Sequence, residues 1–245
     1  MFQELTDAGF DVEVRNHAGA IFSVDFPDQA QELINVLLGL KIPAEDLVGS
    51  GGGEAKSTQW LRNELYKHDW PKHNFEFKSF LDGVEQLAMS HEIDHVRTVE
   101  GAGRIALEIE WNNKDPFFDR DLENFQRLHA QSAISVGAVI TRGASLQNNM
   151  KGIIQRCLEK FDVTDEAGLK ANFDVKDRTA RQREAVQKQL DAGVTYSEAF
   201  AKQFVGDKFG QATTHWSKLE DRIHRGVGNP CPMILIGLPA SVVVE

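Results

Sequence analysis

From Phe10 to Phe26 apolar and polar residues alternate, first as FDVEVRN and then as AIFSVDF, and this period of two predicts strands or a hairpin. Pro27 opens a different pattern: in PDQAQELINVLLGL the residues Ala30, Leu33, Ile34, Leu37 and Leu38 recur at helical spacing, with Gly39 as terminator. The run Gly49–Gly53 predicts a flexible loop. Ser57 or Thr58 is placed to cap the next helix, STQWLRNELYKHDW, whose apolar face gathers Trp60, Leu61, Leu65 and Trp70.

The middle of the chain reads as sheet. NFEFKSF predicts one strand and Ile93 to Val99 another; the turn-prone Glu100-Gly101-Ala102-Gly103 then leads into RIALEIEW, which predicts a hairpin. DRDLENFQRLHAQSA supplies a helix with acidic residues in its first turn, and ISVGAVITR is an apolar run suited to a buried strand. From Gln147 to about Phe209 the pattern is mostly helical and polar, including DRTARQREAVQKQLDAG and a YSEAFAKQF helix capped by Thr195. TTHWSKLEDRIHRG predicts a further amphipathic helix, and MILIGL a second buried strand. The order predicts an α/β fold.

Composition narrows the class only modestly. With 245 residues, 41% of them hydrophobic, the chain can bury the core of one domain, elaborated by an insertion. The net charge of -10 argues against a nucleic-acid partner, but it does not locate the charges, and a metal-binding acidic site itself biases the balance. Cys157 and Cys231 lack zinc-ribbon spacing and read as reduced thiols. With no signal-peptide pattern and no apolar run near the roughly 18 residues that span a bilayer, the expected location is the cytoplasm.

Two motifs compete for one stretch. His91-Glu92-Ile93-Asp94-His95 matches the HExxH pattern of zinc metalloproteases, which needs both histidines on one helical face. Here the match runs into Val96-Arg97-Thr98-Val99 and a turn, which favours strand, and in a strand the histidines stand about 13 Å apart, too far to share an ion. The other pattern is Asp94 followed by Glu108-Ile109-Glu110. Alternation sends Glu108 and Glu110 to one face of a strand and Leu107 and Ile109 to the other; with Asp94 on the partner strand, three carboxylates converge where magnesium could be held. Spacing alone leaves open the plainer reading, a solvated polar face.

The combination of STQWLRNELYKHDWPKHNFEFKSFL, EIDHV, LEIEWNNKDPFF, a helix and AVITRG resembles the BglII-like restriction endonucleases of the PD-(D/E)xK superfamily. The likeness covers about Ser57 to Asn149 and resumes at CPMILIGL. It implies a restriction-endonuclease-like core, a mixed central sheet flanked by helices, at about 57–149 plus 213–240. A helical insertion at about 160–211, longer than the resemblance would suggest, completes one endonuclease domain over 1–245. It implies Asp94 and Glu108 as magnesium-binding carboxylates, the main-chain carbonyl of Ile109 as a further ligand, and Glu110 in the slot where much of the superfamily carries lysine. Asn74 falls near a polar residue supporting the family's water and metal network.

The activity implied is type II restriction: magnesium-dependent hydrolysis of double-stranded DNA at a short palindrome, with GATC at its centre and 5′-phosphate products. The implied setting is a bacterial or archaeal cytoplasm, with a homodimer matching the two-fold site and a cognate DNA methyltransferase in the same system. Where the resemblance places base-reading residues, the expected loop 141–149 offers Arg142, Ser145, Gln147, Asn148 and Asn149; the amides suit adenine edges and Arg142 suits guanine. Thr213, Thr214, His215 and Lys218, with Arg222 and Arg225, form a candidate phosphate-contacting surface, and Lys176, Arg178, Arg181 and Arg183 a local basic patch. Each has an ordinary alternative as a polar loop or a solvated helix face. At the level of function the alternatives are a repair nuclease on the same core, the HExxH zinc protease, and a silent DNA-binding module.

Overall fold

The two apolar runs form the centre of the sheet. In a computed structural model, which describes residues 1–49 and 54–245 and within these all side chains but Leu87 and Met89, β1 (Asp11–Arg15), β8 (Met233–Leu238), β7 (Val136–Arg142), β6 (Gly103–Glu110) and β5 (His95–Val99) lie side by side in that order. β6, β7 and β8 run parallel, while β1 and β5 close the edges antiparallel. β7 and β8 are buried along their whole length, as continuous apolar runs require when both faces are covered. Residues 50–53 of the expected glycine loop lie outside the described residues.

Parallel neighbours need crossovers. A single helix, α6 (Phe117–Ala130), joins β6 to β7. The crossover from β7 to β8 carries α7 (Ala144–Lys160), α8 (Glu166–Asn172), α9 (Ala180–Leu190), α10 (Tyr196–Lys208) and α11 (Trp216–His224), so the long helical segment falls inside one sheet connection. Strand alternation sorts the core in two. Ile105, Leu107 and Ile109 of β6 pack with α7, α10 and the N-terminal helix α3 (Pro27–Gly39), whereas Ala106 faces Phe118, Leu122 and Phe125 of α6 and Leu219 of α11.

Short elements complete the frame: α1 (Gln3–Asp7), α4 (Ala44–Val48), and a parallel pair of β2 (Ile42–Pro43) with β9 (Val243–Val244). One tight approach fixes the start of α7. The Ala144 N–H donates to Asp11 Oδ2 at 2.7 Å, and a Cβ on Gly143 would lie 2.6 Å from that oxygen and 2.7 Å from the Leu238 carbonyl, so only glycine fits. Among the described residues no helix is long and apolar enough to cross a membrane. Cys157 and Cys231 are free and buried.

Several expectations are corrected. AIFSV lies in a helix, α2 (Ala18–Val24), rather than a strand: Asn16 and His17 adopt positive φ and break the strand, after which Ala18 and Phe22 of α2 and Phe26 just beyond it bury at four-residue spacing. The helix α5 (Lys56–Lys67) has Ala55 at its N-cap, and Ser57 sits buried in its first turn rather than capping it. NFEFKSF belongs to β3 (His73–Leu81), whose partner is an unanticipated strand, β4 (Val84–Ile93); the turn between them is Asp82-Gly83, both at positive φ, as a tight hairpin demands. The strand expected over 93–99 is therefore two, broken at Asp94. The β5–β6 hairpin forms as the turn residues predict.

Candidate active site

The break at Asp94 places a carboxylate at a bend beside the C-terminal half of β6. The Asp94 N–H donates to Glu108 Oε2 at 3.3 Å, and the Ile109 N–H donates to Asp94 Oδ2 at 3.4 Å. Alternation then turns Glu108 and Glu110 toward α6, and both are buried, at 3% and 2% exposure. They meet a carboxylate that the sequence reading passed over. Asp121 shares the inward stripe of α6 with Phe118, Leu122 and Phe125 and is wholly buried. Its place on that apolar stripe, where a charge is costly without a purpose, is the signal that could have found it.

Few cations offset these acids. Arg120 Nε and Nη2 reach Asp121 Oδ1 at 2.8 and 2.7 Å, and Nη2 lies 3.6 Å from Glu110 Oε1. Asn113, also unanticipated, donates its side-chain N–H to Glu110 Oε2 at 2.8 Å. Among the described residues no N–H reaches Asp121 Oδ2, and a protonated Glu110 hydrogen-bonds to the Asp121 carboxylate. Burial, reinforced by the charges of Asp121 and Asp94, raises the Glu108 carboxyl well above its ordinary range. Burial and then Asp121 push Glu110 up to about 9, against the opposing pull of Asn113 and Arg120. Burial likewise raises Asp121.

These shifts have a sign that can be measured. A raised carboxyl means that the folded chain favours the protonated form. Glu110 is thus neutral and harmless below the ordinary value of 4.5, and its ionisation costs stability progressively as pH rises toward about 9. In chelator, Glu110→Gln should flatten the fall in melting temperature between about pH 5 and pH 9, read by thermal scans across that window.

The carboxylates of Asp94 and Glu108 stand together, with Glu108 buried and raised by its acidic neighbours, which fits a bound cation, and an all-oxygen donor set suits a hard divalent one. Asp94 and Glu108, with the Ile109 carbonyl, are the groups that would hold it. Among the described residues no three His, Cys, Asp or Glu side chains form a ready metal cage, so main-chain and solvent oxygens would have to complete the shell. The HExxH match dissolves: His91 lies in β4 opposite Phe75, and His95 lies in β5, buried, with Nδ1 2.9 Å from the Trp70 carbonyl oxygen.

The remaining candidates are dispersed. Asn74 is exposed on β3 with its oxygen accepting from Ser90 at 2.6 Å, and among the described residues no hydrogen bond joins it to the carboxylates. The expected loop 141–149 is instead the end of β7 and the first turns of α7, because Gly143 and the Asp11 cap start the helix at once. Arg142 is wholly buried and Gln147 is bonded through both ends of its amide, to Arg142 and to the Phe209 carbonyl. Asn148 and Asn149 are exposed, while the Ser145 hydroxyl accepts from the Ala240 N–H at 3.0 Å. Thr213 and Thr214 are tied to Arg142, and the Thr214 hydroxyl also accepts from the Asn113 N–H. His215 is buried, and burial together with Arg142 and Lys218 lowers it to about 4. Lys218 lies 3.9 Å from Asp115 at the surface.

A mixed sheet flanked by helices, with acidic residues gathered where its hairpin edge meets a crossover helix, defines a restriction-endonuclease-like fold. The family described as restriction endonuclease BglII/BglIII matches residues 10–238, from just before β1 to the end of β8, and the chain belongs to that family. The matched range also spans the helical segment between β7 and β8. No curated protein matches the chain. Membership makes it a hydrolase acting on DNA, from a family that generally uses divalent metal ions.

Proposed function

We propose that this chain is a type II restriction endonuclease, hydrolysing double-stranded DNA at a short palindrome in a magnesium-dependent reaction that leaves 5′-phosphates. The observation that carries the reading is the double tie of Asp94, whose N–H donates to the Glu108 carboxylate and whose own carboxylate accepts from the Ile109 N–H, so that the acid at the β4–β5 bend meets the acid of β6 on a scaffold of this family. Magnesium bound there would supply Lewis acidity, lowering the pKa of water and stabilising negative charge on phosphate. Asp94, Glu108 and the Ile109 carbonyl would hold that ion; beside its charge Glu110 would release its own proton to solvent and then, steadied by Asn113, orient the attacking water and take the water's proton.

Residues 1–245 act as one endonuclease domain with the 160–211 segment as an insertion. The enzyme works as a homodimer on a two-fold site, beside a cognate methyltransferase. Asn148 and Asn149 are the better-presented base readers. Arg142 and Gln147, with the buried Thr214 and His215, serve the frame that presents them, and Thr213 and Lys218 line the approach of the backbone. Unmethylated phage DNA incubated with the protein and magnesium, followed by sequencing of the ends, tests the reading. Discrete ends sharing one palindrome are expected, and intact DNA across several metals and salt concentrations would refute it.

A further inference from the structure

Glu110 is held at both oxygens, and the two holds differ in kind. Oε2 takes a hydrogen bond from Asn113 at 2.8 Å, while Oε1 faces Arg120 at 3.6 Å, an ion-pair distance rather than a hydrogen bond. Arg120 is itself anchored. It makes two short contacts to Asp121 Oδ1, and its guanidinium lies 4.4 Å from the centre of the Phe117 ring. Its side chain is 54% exposed, whereas those of Glu110 and Asp121 are 3% and 0% exposed, so it stands at the mouth of the acidic cluster with its head turned inward. Among the described residues no other Lys or Arg makes an ion pair with Asp94, Glu108, Glu110 or Asp121.

Resting on the reading of Glu110 as the residue that orients water, we infer that Arg120 is a positioning residue for the cleavage reaction. Asp121 anchors it, and together with Asn113 it fixes the plane of the Glu110 carboxylate. Nη2 of Arg120 lies between the two buried acids, 2.7 Å from Asp121 Oδ1 and 3.6 Å from Glu110 Oε1, and so ties the second oxygen of Glu110 to a fixed neighbour. In this arrangement Asp121 acts through Arg120 and need not touch an ion or the DNA.

The test is a double-mutant cycle between Arg120→Ala and Glu110→Gln, read by single-turnover cleavage with magnesium and by DNA affinity with calcium. Arg120→Ala is expected to slow single-turnover cleavage by about a hundredfold, the scale of a misaligned reacting group, while affinity for DNA in calcium changes by less than about threefold. Combined with Glu110→Gln, it should add less than about threefold, because both substitutions remove the same function. Arg120→Lys keeps a charge that can meet only one carboxylate at a time and should fall between, at about tenfold; it also carries the comparison if Arg120→Ala folds poorly by circular dichroism. Additive losses in the cycle, or an Arg120→Ala protein as fast as an active wild type, would overturn this inference alone. A wild type that leaves DNA intact would overturn the cleavage-site reading and this inference with it.

Discussion

Replacing Asp94 or Glu108 by Ala should lower magnesium-dependent DNA cleavage by about a thousandfold or more, since several kcal/mol of phosphate charge stabilisation rest on the ion they would hold. The same substitution at Glu108 should raise the melting temperature in chelator near pH 8. Glu108 is buried beside Asp94 and Asp121, and its ionisation works against folding. Opposite signs for activity and stability distinguish a functional carboxylate from a structural one, whose loss would lower both. Asp94 has a weaker stabilising effect to lose, through its bond from the Ile109 N–H at 3.4 Å, and its variant should melt within a few degrees of the wild type. Gel assays of cleavage alongside thermal scans read both quantities. Unchanged cleavage in either variant would remove that residue from the site.

Arg142→Ala should destabilise the fold by about 3–5 kcal/mol, the largest stability loss expected of any single side chain discussed above. The guanidinium donates to the Trp111 carbonyl at 2.8 Å, the Thr214 carbonyl at 2.6 Å, the Thr213 hydroxyl at 2.7 Å and the Gln147 amide oxygen, and it lies 5.0 Å from the centre of the Phe209 ring. No carboxylate shares an ion pair with it among the described residues, and burial lowers it to about 9. Removing it strands two buried carbonyls and opens a cavity between the end of β6, α7 and the approach to α11. Arg142→Lys should recover little, since an ammonium cannot span that fork of acceptors. Urea denaturation gives the number. A variant of near-native stability that had lost only its choice of DNA site would instead restore Arg142 as a base reader.

The sequence carried the sheet better than it carried the site's surroundings. β7 and β8 were legible because four or more successive apolar residues, buried on both faces, leave little else for the segment to be. The convergence of Asp94 with Glu108 followed from alternation and a hairpin turn. AIFSVDF misled because spacings of two and four share positions, so that Ala18, Phe22 and Phe26 satisfy a strand and a helix alike, and the positive φ at Asn16 and His17 decided the matter. β4 was hidden by its polar residues, although Asp82-Gly83 had the chemistry of a hairpin turn. Asp121, Arg120 and Asn113 join the carboxylates only through the packing of α6 on the sheet and the return of the chain at Thr214, contacts that no local pattern announces.

The sheet order has a consequence for how the enzyme is made. β8 pairs with β7 on one side and with β1 on the other, at registers such as Val139↔Leu235 and Val12↔Ile236. On the ribosome β1 emerges before its partner β8, and Asp11 reaches the helix it caps only once α7 has followed. The acidic residues from Asp94 to Asp121 are neighbours in the nascent chain. Their platform nevertheless stays two strands short until residues 233–238 have been released, so the pairings that complete it are nonlocal in sequence. Synthesis of the last core strand is therefore the step that turns an assembled set of carboxylates into a rigid one, and a chain cut before it should carry the site's residues without the means to hold them.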